Sequence, residues 1–268
     1  MNVVFLGGSH PRHFYIASKL YEAGFLKGMV VEERGMFVQP VPEGLNEQDK
    51  NNFIYHFEQR DKAEEKLFGN VDIPKLKDSV ACKQIQLSEL NSKETEEFIR
   101  GLEPDVLLSF GVHKLEDNIL NLCPGKAFNI HGGLSPWYRG CITMFWPFYF
   151  LRPNWAGTTI HHLSNRMDGG DIVHQVVPAL YKGDKLQEVG ARAIEQTGIE
   201  LPKLMQMLAE GKELPCVKQG TTGKLFVALD WTPQHLRLVY NTFNDDIVDR
   251  YLAGDIVSPA PNLVRAFE

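Results

Sequence analysis

The chain has 268 residues, of which 43% are hydrophobic and 23% are charged, as in an ordinary globular protein. This composition excludes disordered and collagen-like proteins. The 34 acidic and 28 basic side chains give a formal net charge of -6, which argues against a nucleic-acid partner, because such proteins present a concentrated basic face. No apolar run approaches the roughly 20 residues that span a bilayer, so we expect no membrane partner.

The start of the chain and the cysteines indicate a cytoplasmic protein. Residues Met1–Gly8 contain no basic side chain and too short an apolar run for a signal peptide. The four cysteines are scattered and form no Cys-x-x-Cys pair, which is typical of packing roles in a reduced compartment. We therefore expect a cytoplasmic location.

The first thirty residues predict a βαβ unit. Asn2–Leu6 has the pattern of a short buried strand that stops at the glycine pair Gly7-Gly8, Pro11–Ala23 is helical in pattern, and Phe25–Val31 follows as a strand. This order indicates a parallel sheet. The glycine pair is typical of a tight turn or of backbone contact with phosphate. The full G-x-G-x-x-G motif is absent, which disfavours a nicotinamide cofactor.

The remaining chain predicts further strands, helices and one insertion. Asn46–Gly69 is polar with interspersed aromatic residues, and we interpret it as a helical insertion that packs on the sheet edge. A long helix is predicted over Leu186–Gly211, broken or kinked around Gly198 and Pro202. The other predicted strands are Asp105–Phe110, Ala127–His131, Gly157–His162 and Ile172–Val177.

The predicted fold class is α/β, with a mostly parallel Rossmann-like sheet flanked by helices and a small C-terminal β-rich or mixed module. We expect the sheet domain to span residues 1–180, and the long helix and the module to span residues 181–268. A further helix beginning near Thr232 and Pro233 carries Tyr240 and Asn241. It either covers the sheet domain or a dimer mate, or it contacts a nucleotide.

Two polar side chains share one face of the predicted strand Ala127–His131. Asn129 and His131 lie about 6.5–7 Å apart along the strand. His131 is at the carboxyl end of this strand, and the carboxyl ends of parallel strands open onto the crevice where α/β enzymes bind ligands. An asparagine amide can donate to a developing oxyanion, and histidine titrates near neutrality. By itself, a histidine at a strand end is more often a structural group than a catalytic one.

A second candidate element follows the strand Gly157–His162. Asp168 precedes the two glycines Gly169 and Gly170, which indicates an irregular loop. Such a segment is as typical of a plain Asp-Gly turn as of a catalytic carboxylate.

Three segments together resemble the formyltransferases that use N10-formyltetrahydrofolate. Asp168 follows His131 by 37 residues, and the resemblance covers roughly Asn2–Val177. The loop after the histidine, Gly132-Gly133-Leu134-Ser135-Pro136, departs from the Ser-Leu-Leu-Pro usual in the family, which leaves its acceptor contacts open. The three segments are Asn129-x-His131, Ser135-Pro136-Trp137-Tyr138-Arg139-Gly140 and Met167-Asp168-Gly169-Gly170.

The resemblance implies that Asn129, His131 and Asp168 are the catalytic residues and that no metal takes part. In the implied mechanism, a primary amine attacks the formyl carbon, and negative charge develops on the formyl oxygen. Asn129 and protonated His131 would stabilise that oxygen. Asp168 would favour the charged form of His131 through its proximity and help to relay the proton from the amine to the folate nitrogen.

The resemblance also places the folate pocket. The segment Ser109–Leu115 matches the family segment whose backbone contacts the pteridine, and the loop Leu163–Asp168 would close over the other side. His113 and Lys114 are equally typical of solvated surface residues. The cofactor-binding residues implied are Phe110, His113, Lys114, Leu115, Arg166 and Met167.

The identity of the formyl acceptor is less directly indicated by the sequence. The acidic chain disfavours tRNA, and a catalytic part followed by a small module resembles the sugar N-formyltransferases, which act on nucleotide-linked amino sugars for bacterial surface polysaccharides. We expect Trp137, Tyr138 and Arg139 to contact this acceptor, since they follow the catalytic strand. Related sugar enzymes pair as homodimers. The alternatives are a formyltetrahydrofolate hydrolase, another small amine acceptor, and a catalytically silent folate or nucleotide binder.

Overall fold

The computed structural model describes residues 1–33, 40–164, 166–220 and 223–268. Seven strands form one sheet in the order β3-β2-β1-β4-β5-β7-β8, and β6 pairs with β9 in a separate two-stranded sheet. The strands are β1 Val3–Gly8, β2 Leu26–Glu32, β3 Ala81–Ile85, β4 Val106–Phe110, β5 Ala127–His131, β6 Tyr138–Gly140, β7 Thr158–His162, β8 Ile172–Val176 and β9 Lys224–Phe226.

The first five strands are parallel, whereas β7 runs antiparallel to β5 and β8 antiparallel to β7. This arrangement confirms the predicted mostly parallel α/β sheet. From the central strand β1, the chain proceeds to β2 and β3 on one side and then crosses to β4 and β5 on the other. In open α/β sheets, ligands bind outside the carboxyl ends of the strands where the order reverses, here β1 and β4.

Helices cover both faces of the sheet. One face packs against α1, α2, α3 and α7, and the other packs against α4 and α5. Every residue of β1 and of β4 is buried, as expected for strands covered on both sides. The helices are α1 Pro11–Glu22, α2 Glu47–Phe68, α3 Ile73–Ser79, α4 Lys93–Gly101, α5 Asp117–Leu120, α6 Trp146–Tyr149, α7 Leu186–Ala209 and α8 Ile247–Ala253.

The predicted turn after β1 lies two residues later than the sequence suggests. Gly7 and Gly8 are the last residues of the strand, and Ser9 and His10 connect it to α1. Pro11 is the first helical residue, where its missing N–H costs no hydrogen bond. The glycine pair is therefore part of the sheet, and the carboxyl end of β1 leads directly into α1.

The predicted insertion is one helix, α2, but it does not pack on the sheet edge. Asn46 caps it, because its side chain accepts a hydrogen bond from the Asp49 N–H at 2.9 Å. Its main contacts are with α7 and α1. The reason is its apolar face, on which Ala63 and Phe68 join the hydrophobic cluster that these helices form. The helix therefore packs mainly on α1 and α7.

The C-terminal part of the chain is mixed in structure rather than rich in β-strands. Helix α7 is not broken at Gly198 or Pro202. After it come the three-residue strand β9, short 3-10 and π-helical turns, and α8. Leu236 and Val239 of this part share one hydrophobic cluster with Phe145, which follows β6. In the described residues, no helix combines the length and apolar character needed to cross a membrane.

Candidate active site

Three polar side chains form a row across adjacent strands. The strand register places Asn129 of β5 between Ser109 of β4 and His161 of β7. Ser109 Oγ donates a hydrogen bond to Asn129 Oδ1 at 2.8 Å, and Asn129 Nδ2 lies 3.2 Å from His161 Nε2. The hydrogen bond from Ser109 fixes the amide oxygen of Asn129, and the NH2 group is directed toward His161.

The carboxylate of Asp168 lies between two imidazole rings. Its Oδ2 is 3.4 Å from His131 Nδ1, and its Oδ1 is 3.7 Å from His161 Nε2. The opposite nitrogen of His131, Nε2, lies 2.8 Å from the carbonyl oxygen of Tyr138. The structure therefore brings Asn129, His131 and Asp168 together, with His161 between the first and the last.

Two other segments hold Asp168 in place. The Gly140 N–H donates to Asp168 Oδ2 at 2.9 Å, and Gln219 Nε2 donates to the carbonyl oxygens of Asp168 and Gly170 at 2.6 and 2.7 Å. Gly140 has φ +91°, and a Cβ atom there would lie 2.0 Å from the Phe226 carbonyl oxygen. Glycine at this position therefore allows β6 to approach both β9 and the carboxylate.

Asp168 and His131 change each other's pKa. Burial raises the pKa of Asp168, but interactions with His131, His161 and the Gly140 N–H outweigh it and lower the pKa to about 2. Burial lowers the pKa of His131, although Asp168 and the Tyr138 carbonyl oxygen oppose this effect. Asp168 does favour the charged form of His131, as expected, but burial outweighs this effect, so the pKa of His131 is lowered. At neutral pH, a neutral imidazole faces an ionised Asp168.

The described structure contains two cavities near this sheet, of which the larger reaches His131. The larger, of about 760 Å³, lies at the carboxyl ends of β1, β4 and β5. The smaller, of about 340 Å³, lies between α5, the start of β5 and the residues that follow β7, and its walls include Leu120, Ala127 and Leu163. The walls of the larger include His10, Arg12, His13, His56, Arg60, Glu64, Phe110, Gly111, His131, Gly132 and Trp231.

The segment after β4 is firmly attached to the sheet. Phe110 lines the larger cavity, and its ring meets the edge of His13 at 4.8 Å between centroids. Glu32, at the end of β2, accepts the His113 N–H at 2.9 Å, and its other oxygen lies 2.5 Å from His113 Nδ1. Leu115 is buried in the cluster that α4 and α5 form. These contacts fix the backbone that the sequence assigns to the pteridine.

Three other residues predicted to bind the cofactor are exposed. The Lys114 side chain is exposed, while its carbonyl oxygen accepts from Asn91 Nδ2 at 3.0 Å. Arg166 and Met167 are exposed beside Asp168, and Met167 is 63% exposed. Asn165, in the same loop, lies outside the described residues.

The residues predicted to contact the acceptor line neither cavity in the described structure. Tyr138 is buried, with its ring stacked on Phe226 at 6.2 Å. Trp137 packs edge-on against Trp155 at 4.9 Å. Arg139 follows in β6, and its buried Nε has no hydrogen-bond partner. Pairing of β6 with β9 turns both rings into the hydrophobic cluster, so they serve the structure here, and Tyr138 serves the site through its carbonyl oxygen.

Sequence reasoning missed His161, Ser109 and the side chains that α1 and α2 contribute to the larger cavity. His161 lies on a correctly predicted strand, but only the antiparallel pairing of β7 with β5 brings it to Asn129. Arg12 and His13 follow the first strand of a βαβ unit, which is a signal for a ligand site. The side chains of α2 carried no such signal, because the position of the helix depends on tertiary packing.

The contacts of the segment after Thr232 agree with the first alternative, that it covers the rest of its own chain. Tyr240 OH lies 2.7 Å from His56 Nδ1, and Asn241 Oδ1 accepts from Asn52 Nδ2 at 2.7 Å. The segment therefore covers α2 of its own chain. Both contacting residues of α2 lie on the helix face that also carries Arg60.

Comparison with known proteins identifies the family. The sequence model of the formyl transferase family matches residues 29–205, which is more than half of the chain. The fold is similar to that of a phosphoribosylglycinamide formyltransferase from Anaplasma phagocytophilum, with 13% identity, a TM-score of 0.54, and coverage of 85% of this chain and 97% of that one.

Two similar structures contain ligands. One is a formyltransferase from Anoxybacillus kamchatkensis in complex with UDP-4,6-dideoxy-4-formamido-L-AltNAc and tetrahydrofolate (16% identity, TM-score 0.50, 92% and 96% coverage). The other is an N-formyltransferase from Helicobacter canadensis with folinic acid and dTDP-3-aminofucose (14% identity, TM-score 0.52, 87% and 73% coverage). At these identities, the similarity describes the fold. The family match over residues 29–205 shows that the chain belongs to the formyl transferase family, which confirms its identification as a formyltransferase.

Proposed function

We propose that this enzyme transfers a formyl group from N10-formyltetrahydrofolate to the primary amine of a nucleotide-linked amino sugar. The observation that carries the proposal is the cavity of about 760 Å³ that reaches His131, because it suits a ligand far larger than a simple amine. Two enzymes of similar fold contain nucleotide-linked sugars together with a folate. We place the reaction in the bacterial cytoplasm, in the synthesis of surface polysaccharides.

The smaller cavity borders the start of the loop Leu163–Asp168, which the resemblance places over the pteridine. Leu120, Ala127 and Leu163 give it apolar walls, and Asn121 and Ser164 give it a polar edge. A flat heterocycle with a hydrogen-bonding edge suits such a site. When bound, the cofactor supplies a formyl group on its N10 nitrogen.

Asn129 is suited to stabilise the formyl oxygen. Its Nδ2 carries two hydrogens, and the contact with His161 occupies at most one of them. Ser109 fixes the amide orientation through Oδ1, so the donor requires little reorganisation during the reaction. Removal of one such donor from a comparable site lowers the rate about 10²–10³-fold.

His131 is suited to take the proton from the attacking amine. Nε2 faces a carbonyl oxygen, which can only accept, so Nε2 carries the hydrogen and Nδ1 is the basic nitrogen of the neutral ring. Nδ1 lies 3.4 Å from the carboxylate of Asp168. Because Asp168 stays ionised down to about pH 2, it stabilises the ring once the proton has been taken up.

A formyl-transfer assay with mass-spectrometric detection tests the function. Purified protein is incubated with N10-formyltetrahydrofolate and amino sugars linked to UDP, GDP, dTDP or CMP, with free amino sugars and glycinamide ribonucleotide as further acceptors. We expect a formylated nucleotide sugar that disappears with His131→Ala and persists with His235→Ala, a histidine that lines neither cavity. Formate release without a formylated product would instead show a hydrolase, and product from a free amine alone would exclude the nucleotide-linked acceptor.

A further inference from the structure

The wall of the larger cavity contains an isoleucine in an unusual backbone conformation. Ile142 has φ +57°, in the left-handed region that glycine and asparagine adopt readily. A β-branched side chain is crowded by its own backbone in this region, so isoleucine costs free energy at this position. Ile142 lines the cavity that reaches His131. The strained residue therefore lies on the surface where we place the acceptor.

Hydrogen bonds on both sides of Ile142 hold this conformation. The Gly140 N–H donates to the carboxylate of Asp168 at 2.9 Å. The Thr143 hydroxyl donates to the carbonyl oxygen of Gly132, the residue that follows the catalytic histidine. The segment from Gly140 to Thr143 is thus attached at each end to a part of the candidate active site. These attachments prevent the backbone of Ile142 from relaxing.

Little burial offsets the strain at Ile142. Its side chain is 38% exposed, although it is a large aliphatic group. Leu151 provides the comparison, since it has φ +54° but packs against the hydrophobic cluster that contains Phe148. Leu151 lines neither of the two cavities described above. Packing accounts for the strained leucine, whereas the strained isoleucine lies at a ligand cavity, and such residues are concentrated at functional sites.

The side chains next to Ile142 indicate which part of the acceptor it contacts. Met144 and Phe145 line the same cavity and are apolar. The hydrogen of the Thr143 hydroxyl is donated to the Gly132 carbonyl oxygen. A ligand hydroxyl placed against the isoleucine would lose its hydrogen bonds with water without replacement. This part of the wall is therefore suited to C–H groups.

We propose that Ile142 is a specificity-determining residue, which contacts the C–H face of the acceptor sugar and so places the amine at His131. This role rests on the proposed function, because it requires the acceptor to occupy the larger cavity. An apolar contact of this kind is equally strong in the ground state and the transition state, so it contributes to acceptor binding rather than to the chemical step. Asparagine would avoid the backbone strain but would not supply the contact.

Steady-state kinetics of formyl transfer and thermal unfolding of Ile142→Asn test this role. The acceptor is the amino sugar linked to UDP, GDP, dTDP or CMP that the parent protein formylates fastest. We expect the acceptor KM to rise about tenfold or more, while kcat and the KM for N10-formyltetrahydrofolate stay within about twofold of the parental values. The melting temperature should stay within about 4 °C of the parental value or exceed it, because relief of strain offsets the lost contacts.

Leu151→Asn is the matched control, because it makes a similar exchange at a left-handed position outside both cavities. We expect a parental acceptor KM and a larger loss of melting temperature, since this side chain packs in the hydrophobic cluster.

Three results with Ile142→Asn would overturn the proposal. They are a parental acceptor KM, a rise in the KM for N10-formyltetrahydrofolate instead, and a loss of melting temperature as large as that of Leu151→Asn, which would assign the isoleucine to packing. If the parent protein formylates no nucleotide-linked amino sugar, the proposed function fails, and the contact fails with it. Formyl transfer with a parental acceptor KM in Ile142→Asn refutes the contact alone.

Discussion

The properties of Asp168 depend on residues from four segments of the chain. Its side chain contacts His131 and His161 and accepts the Gly140 N–H, while Gln219 holds its carbonyl oxygen. These contacts keep the carboxylate ionised although only 14% of the side chain is exposed. The negative charge is therefore in place before the reaction begins, as electrostatic preorganisation requires.

Asp168→Asn preserves the shape of this side chain but removes its charge. We expect kcat for formyl transfer to fall about 10²–10⁴-fold, because His131 loses the carboxylate that stabilises its protonated form. The dissociation constant for folinic acid and the melting temperature should change little. Asp255→Asn, at an exposed position, is the control. A parental kcat in the Asp168→Asn variant would exclude the role we assign to this carboxylate.

The pH dependence of the reaction follows from the lowered pKa of His131. The neutral ring is the active form, so activity is present above this pKa and is lost as the pH falls through it. Since burial lowers the pKa of His131 below its ordinary value of 6.5, the midpoint of the acidic fall in kcat/KM should lie below pH 6.5. In Asp168→Asn, this midpoint should move to still lower pH. Profiles measured between pH 5 and 9 test this, and a midpoint above pH 6.5 would contradict it.

At the scale of elements, the strands were predictable and their pairing was not. Continuous apolar runs predict β1, β4 and β5, because both faces of these strands are buried. Alternation along β5 predicts that Asn129 and His131 share a face. The antiparallel register of β7 depends on the path of the chain between the strands, which contains no local signal, so the contribution of His161 was missed.

Helix α7 contains two glycines that allow a matched comparison. A Cβ atom at Gly198 would lie 2.5 Å from the ring of the buried Tyr15, whereas one at Gly190 would have ordinary contact with Met144 at 3.7 Å. We expect Gly198→Ala to lower the free energy of unfolding by about 1–3 kcal/mol through overpacking. Gly190→Ala should raise it by up to about 1 kcal/mol through helix propensity. Urea unfolding measures both, and equal effects would contradict the proposed contact between α1 and α7.

At the scale of the whole molecule, the α/β class was predictable because it follows from local patterns, whereas the C-terminal part depends on distant contacts. The short strand β9 exists only through pairing with β6, and Phe226 packs on Trp146 at 4.6 Å. Hydrophobic residues of this kind predict burial but not the surface on which they pack. The same limit applies to Trp137 and Tyr138, whose packing in the hydrophobic cluster has no local signal in the sequence.

The last residues of the chain cover the edge strand β8. The Val264 N–H donates a hydrogen bond to Gln175 Oε1 at 3.0 Å, and the Val264 carbonyl oxygen accepts one from the Gln175 backbone N–H at 2.8 Å. Arg265 lies 3.0 Å from Glu200, and the Phe267 ring packs on His174. An uncovered edge strand is a site for pairing with other chains, so this tail protects the sheet as well as stabilising it.

Deletion of Val264–Glu268 should therefore lower the free energy of unfolding and promote association. We expect a loss of roughly 3 kcal/mol, from a few hydrogen bonds at about 1 kcal/mol each and partial burial of one aromatic ring. Urea unfolding gives the free energy, and light scattering detects association. Val257→Ser, in an exposed part of the same tail, is the control and should behave like the parent protein. If the shortened protein unfolds at the parental midpoint and stays unassociated, the tail is dispensable and β8 is protected by the rest of the fold.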